Sequence, residues 1–129
     1  MRKYMEKIIT IENLKGMQDS KELLKTIKNL LEGKKAEDVV VLDVSKQTNI
    51  SDYFIIATAN SAVHARSLLK HLEEELEKIG VKPDHVEGAE EANWILIDFI
   101  DIIVHIFQKE WREYYDLEWL YSNAERVSL

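Results

Sequence analysis

The stretch from Trp94 to Phe107, Trp-Ile-Leu-Ile-Asp-Phe-Ile-Asp-Ile-Ile-Val-His-Ile-Phe, limits the choice of fold more than any other. Two short apolar runs flank a pair of aspartates, Asp98 and Asp101, where the chain must reverse. Side chains alternate faces along a strand, so each run deals its residues onto two surfaces. Drawn as a hairpin with its loop at Phe99-Ile100, the pairs are Asp98 with Asp101, Leu96 with Ile103 and Trp94 with His105. One face then carries Ile95, Ile97, Ile102, Val104 and Ile106, and is predicted to be core. The other carries Trp94, Leu96, Asp98, Asp101, Ile103 and His105. That face is too apolar to be simply solvated and too charged to be buried whole.

Around this hairpin the chain alternates element types. Asp19 or Ser20 is placed to cap a helix, with Glu22 in capping-box spacing, and Leu23, Leu24, Ile27, Leu30 and Leu31 form its stripe up to a stop at Gly33. Val39 to Leu42 and Tyr53 to Thr58 predict strands. Ala59-Asn60-Ser61 turns into a second helix with the stripe Val63, Ala65, Leu68, Leu69, Leu72, Leu76 and Ile79, terminated at Gly80. Pro83 to Glu87 suits a short edge strand, because Pro is tolerated at a strand's start. Lys109 to Tyr121 suggests short helical turns folding aromatics back onto the sheet. Ile8, Ile9 and Ile11 are compatible with a short strand or one helical turn. The expectation is a single α/β domain over residues 19–125, with a mixed sheet of about five strands and helices mainly on one face. Residues 1–18 are an N-terminal extension and 126–129 a tail.

Composition removes whole classes of function. The chain has 129 residues, enough for one domain with a real core. It has no cysteine, which excludes disulfides, thiolate metal sites and thiol catalysis. A net charge of −7 disfavours a protein that works by holding phosphates and suits one that docks on a basic protein. No direct nucleic-acid recognition is therefore expected. No apolar run approaches the roughly 20 residues needed to span a bilayer, and the N-terminus does not resemble a secretory signal. A cytoplasmic protein with no membrane partner is expected.

Chemistry is sparse. Four scattered glycines build neither phosphate-binding loop, and no nucleophile elbow is present. His64 and His71 share the polar side of one helix without a third ligand. His105 is either a structural histidine stacked on an aromatic or a partner contact, and no nucleophile stands near it. Asp98 and Asp101 are either a solvated turn or a seat for a cation, a partner's Lys or Arg or a divalent metal. A nucleotidyltransferase would want Asp-x-Asp along one strand beneath a Gly-Ser corner, whereas here the spacing is Asp-x-x-Asp and the corner is Ala59-Asn60-Ser61. Trp94, flanked by Leu96 and Ile103 and rimmed by acids, has the make-up of a binding hot spot unless Trp111, Tyr115 and Trp119 cover it. Neither catalytic residues, a cofactor nor a metal is expected.

Taken in order, Asp43-Val44, Asp52-Tyr53-Phe54-Ile55-Ile56-Ala57-Thr58, Glu87-Gly88, Trp94 to Asp98, Asp101 to Phe107 and Arg112-Glu113-Tyr114-Tyr115-Asp116-Leu117-Glu118 resemble the ribosomal silencing factor (RsfS, or Iojap) family. The likeness spans about residues 20–125. It implies a nucleotidyltransferase-like fold without that activity. It further implies binding to the large ribosomal subunit, on the basic ribosomal protein conventionally numbered fourteen, and a steric block to small-subunit joining that lowers translation when nutrients are short. Some members form homodimers. Its motifs add Asp52, Tyr53 and Tyr115 to the expected partner-binding set of Trp94, Leu96, Asp98, Asp101, Ile103 and His105. The chain departs from the family at Ala59 and Ile100, where glycine is usual, and Tyr121 replaces a tryptophan. Phe99-Ile100 also suits a two-residue loop badly, since that turn wants φ > 0 at both positions. The faces survive any shift that keeps odd and even positions matched. A vestigial or active nucleotidyltransferase and a structural homodimer are the alternatives.

Overall fold

The structure is a computed structural model that describes the backbone of residues 9–129 and the side chains of residues 20–129. Ile8 therefore lies outside the described residues. The elements in chain order are α1 (Ile9–Gly33), β1 (Glu37–Asp43), β2 (Tyr53–Ala59), α2 (Ala62–Glu77), β3 (His85–Glu87), β4 (Trp94–Asp98), β5 (Ile102–Gln108), α3 (Lys109–Tyr115), α4 (Leu117–Leu120) and β6 (Glu125–Arg126). They form one six-stranded mixed sheet in the order β3-β4-β5-β2-β1-β6. β2 and β5 run parallel at its centre, and the other pairs are antiparallel.

The two long helices cover one face. Leu24, Ile27 and Leu31 of α1, spaced as one helical stripe, meet Ala65, Leu68, Leu72 and Leu76 of α2 over Ile55, Ile95, Ile97, Val104 and Ile106 of the sheet. All of these are fully buried, each Leu, Ile and Val contributing about 1.5–3 kcal/mol of transfer free energy. The predicted core face of the hairpin is thus the core. Ser61 caps α2, its hydroxyl accepting from the His64 N–H at 3.0 Å. Gly80, at φ +79°, ends that helix with the Val81 N–H donating to the Leu76 carbonyl. Val63 and Ile79, expected in the α2 stripe, are instead 74% and 61% exposed.

Four expectations are corrected in whole or in part. First, α1 does not start at Asp19 or Ser20 but continues back to Ile9, since the apolar stripe needs no cap where the helix runs on. Second, α1 ends at Gly33 as expected, but Gly33 is not the residue that turns the chain left-handed. Lys35 takes the left-handed conformation at φ 68°, and Ala36 and Lys35 donate back to Leu31 and Glu32.

Third, the hairpin register shifts by two residues: Trp94 faces Phe107, Leu96 faces His105 and Asp98 faces Ile103. The longer turn needs positive φ only at Ile100 (76°), where the two-residue loop would need it twice. The Asp98 carboxylate accepts the Ile100 N–H at 2.7 Å and Phe99 N–H donates to the Ile102 carbonyl, which steadies that one residue. Fourth, the segment assigned to a tail is pinned to the sheet. Glu125–Arg126 form the sixth strand against β1, and the Val127 N–H donates to the Val41 carbonyl at 2.9 Å.

Candidate docking face around Trp94

The second face of the sheet is covered at its centre and open at one margin. Phe54, Ile56, Ile103, His105 and Phe107 project from it. Trp111, Leu117, Tyr121 and Ala124 of the C-terminal segment pack against them. Arg112 fastens that segment. Its guanidinium donates to the Glu118 carboxylate, the Asp38 carbonyl and the Thr58 hydroxyl, each at 2.8 Å. Asp38 presents its carbonyl where the register of β1 slips between Glu37 and Val40. The same guanidinium holds the Glu118 carboxyl below its ordinary range.

Trp94 marks the open margin. Its half-buried ring stacks on Phe107 at 5.0 Å and lies 4.7 Å from Tyr115, between centroids. The indole N–H donates to Nδ1 of His105 at 3.0 Å. His105 is therefore the neutral tautomer with its proton on Nε2, and burial pushes its pKa down to about 3. That Nε2 has no hydrogen-bond partner among the described residues. Phe54 meets the ring edge-on at 4.6 Å.

In front of the indole lies a cleft lined by Gly88, Glu90, Glu91, Asn93, Trp94, Trp111 and Tyr115. The loop carrying its acids is held in place: Arg66 donates to the carbonyls of Ala89 and Glu90, and Gln108 to that of Ala92. Gly88, at φ +82°, has no room for a Cβ, which would collide with the Trp94 carbonyl.

The expected site residues separate into groups. Trp94, Leu96, Asp98 and Tyr115 share this face and are at least partly accessible. Ile103 and His105 share it too, but they are 5% and 3% exposed and so lie below the accessible surface rather than on it. Asp52 and Asp101 are exposed at the far end of the sheet, where the Asp52 and Tyr53 N–H groups both donate to the Asp101 carbonyl. Tyr53 belongs with the helix-covered core, on the opposite side from Trp94. Asp98 and Asp101 are not a cross-strand pair.

Sequence reasoning missed Glu90, Glu91 and Asn93, which sit in the loop preceding the hairpin. It also missed His85 and Glu87. Their pairing opposite Asp98 and Leu96 puts them on the Trp94 face, a consequence of β3 register rather than of any motif. At the Ala59-Asn60-Ser61 corner, the Asn60 N–H donates to Nδ1 of His64 while Nε2 of His64 bonds the Lys34 carbonyl. The corner's first donors are thus used within the chain.

Chemically, this arrangement is suited to recognition: a flat aromatic floor, an acidic rim and a rigid frame. The family described as "Ribosomal silencing factor during starvation" (RsfS) matches residues 17–129. Ribosomal silencing factor RsfS of Halalkalibacterium halodurans is 37% identical over 110 residues, covering 85% of this chain and 94% of that protein. The Bacillus subtilis protein of the same name is 32% identical, covering 86% and 94%. A crystal structure of a Chromobacterium violaceum protein superposes with a TM-score of 0.76 at 32% identity, covering 84% of this chain and 90% of that one. With the sheet order, the aromatic margin and these likenesses together, the chain belongs to the RsfS family of ribosomal silencing factors.

Proposed function

We propose that this protein represses translation by docking on the large ribosomal subunit and standing in the way of the small one, without making or breaking a bond. The carrying observation is the open cleft in which Trp94, Trp111 and Tyr115 lie beside Glu90 and Glu91. Aromatic faces attract Lys and Arg side chains, and a carboxylate rim adds long-range attraction to a basic partner. A basic ribosomal protein on the intersubunit surface supplies both. Asp98 extends the acidic rim along β4, and Asp52 and Asp101 offer a second acidic point at the far end of the sheet. The reading places the protein in the compartment of its ribosomes, the cytoplasm.

The test is capture of purified large subunits by the wild-type chain and by Trp94→Ala, Asp101→Lys and Glu90→Lys/Glu91→Lys variants, each first shown to be folded. Loss of capture in the cleft variants supports the face. Undiminished capture by all of them removes it.

A second reading, self-association, has one observation in its favour. Tyr114, Trp119 and Leu120 are 74%, 71% and 62% exposed on the C-terminal segment. Light scattering at several concentrations separates a homodimer from a monomer.

A further inference from the structure

The edge of the sheet beside this face carries a histidine set among carboxylates. His85 of β3 stands directly opposite Asp98 of β4, and the Asp84 N–H donates to the Asp98 carbonyl at 2.7 Å, so backbone pairing fixes the three positions. Nδ1 of His85 lies 3.2 Å from Asp84 Oδ2 and 3.6 Å from Asp98 Oδ2. The three ligand atoms all lie within 4.8 Å of one another.

Those separations have a meaning for a metal ion. Two ligands bound tetrahedrally at about 2.0–2.1 Å sit roughly 3.3 Å apart, close to both His85 distances. The one remaining edge, between the two carboxylates, closes by turning Asp84, whose side chain is 57% exposed.

Two of the ligands are also steadied from outside. The far nitrogen of His85, Nε2, bonds Glu87 Oε2 at 2.8 Å, so a metal that displaces the proton Nδ1 shares with Asp84 leaves the other ring proton held on Nε2. Asp98 Oδ1 is held by the Ile100 N–H, which turns Oδ2 toward the imidazole. A carboxylate behind a metal-binding imidazole is the usual outer partner of such a ligand.

We infer that Asp84, His85 and Asp98 form a three-ligand site for a borderline divalent transition ion of the zinc type, with Glu87 as the positioning carboxylate. One imidazole and two carboxylates favour that class over magnesium, which demands an oxygen shell and keeps its water. The fourth position faces solvent and takes water or a partner's side chain. Asp98 also belongs to the docking face, but this site does not depend on the docking reading, since metal binding is read on the free chain with no ribosomal partner present.

The experiment is calorimetric titration of the chelator-stripped full chain with Zn²⁺, with Mg²⁺ as the contrasting ion. Co²⁺ absorption in the visible reports the coordination geometry. The expected result is one Zn²⁺ per chain, a tetrahedral Co²⁺ spectrum and tenfold or greater weakening in His85→Ala and Asp98→Asn. Asp98→Asn keeps the oxygen that holds the turn. Glu87→Gln is expected to weaken binding by about 10–100-fold through the imidazole alone. Circular dichroism confirms the fold, and His85 and Glu87 are exposed edge residues whose replacement leaves it intact. Absence of saturable binding, or less than tenfold weakening in His85→Ala, overturns the assignment and leaves the cluster as an ion-paired imidazole.

Discussion

Burial of His105 makes the stability of this protein acid-sensitive in a way that one residue controls. The ring is neutral in the fold because burial pushes its pKa from the ordinary 6.5 to about 3. Among the described residues its ring packs against Phe54, Trp94 and Phe107, and burial is the cause of the shift. The unfolded chain therefore binds a proton that the folded chain refuses. The associated stability is complete above the unfolded pKa and is lost as pH falls from about 6.5 toward 3. Between about pH 7 and about pH 4 the loss from this one group is about 3 kcal/mol, a large share of a typical domain's total.

Urea unfolding followed by circular dichroism at several pH values measures it. His105→Phe fills the ring volume without a titrating group, and His105→Asn keeps an acceptor for the Trp94 N–H. Each variant costs stability near neutral pH, but the gap to wild type should shrink by about 3 kcal/mol on acidification, because all other titrations cancel in the difference. A gap independent of pH would refute the reasoning, as would an NMR titration in which the folded protein's His105 protonates near 6.5.

Gly88→Ala should destabilise by about 2–4 kcal/mol in the same urea assay, combining a left-handed backbone with a collision at the Trp94 carbonyl. Arg112→Met should cost about 2–4 kcal/mol, since it strips a side chain only 11% exposed from three acceptors. Arg112→Lys should recover little of that, lacking the fork that reaches all three. Ser61→Ala should cost about 1 kcal/mol through the lost cap of α2, a test of whether that corner serves the helix. A result below about 0.3 kcal/mol would mean water replaces the hydroxyl fully.

What was legible in the sequence was parity, and what was hidden was register. Ile95, Ile97, Val104 and Ile106 fall on the core face under any even shift, so the alternation of the hairpin told their fate without knowing its turn. The two-residue slip that sets Trp94 against Phe107 leaves no mark on that pattern. The turn that sets it depends on Ile100 adopting a positive φ that branched residues avoid. Lys35 turning the chain out of α1 is hidden for the same reason, because a lysine carries no left-handed signal and Gly33 beside it does. β6 is too short to have a pattern of its own. At the site, Trp94 stood out by composition, but the burial of His105 depends on α3 and α4 being fastened by Arg112 to Asp38 and Thr58, residues 74 and 54 positions away in the chain. No local rule reports such a contact.

The most direct test of the docking account mixes purified large and small ribosomal subunits with this protein and follows their pairing on a density gradient. The account predicts that the protein travels with the large subunit and that paired ribosomes fall in proportion, while Glu90→Lys/Glu91→Lys restores pairing. Subunits that join undiminished while the protein sits on the large one, or a protein that stays at the top of the gradient, would contradict it.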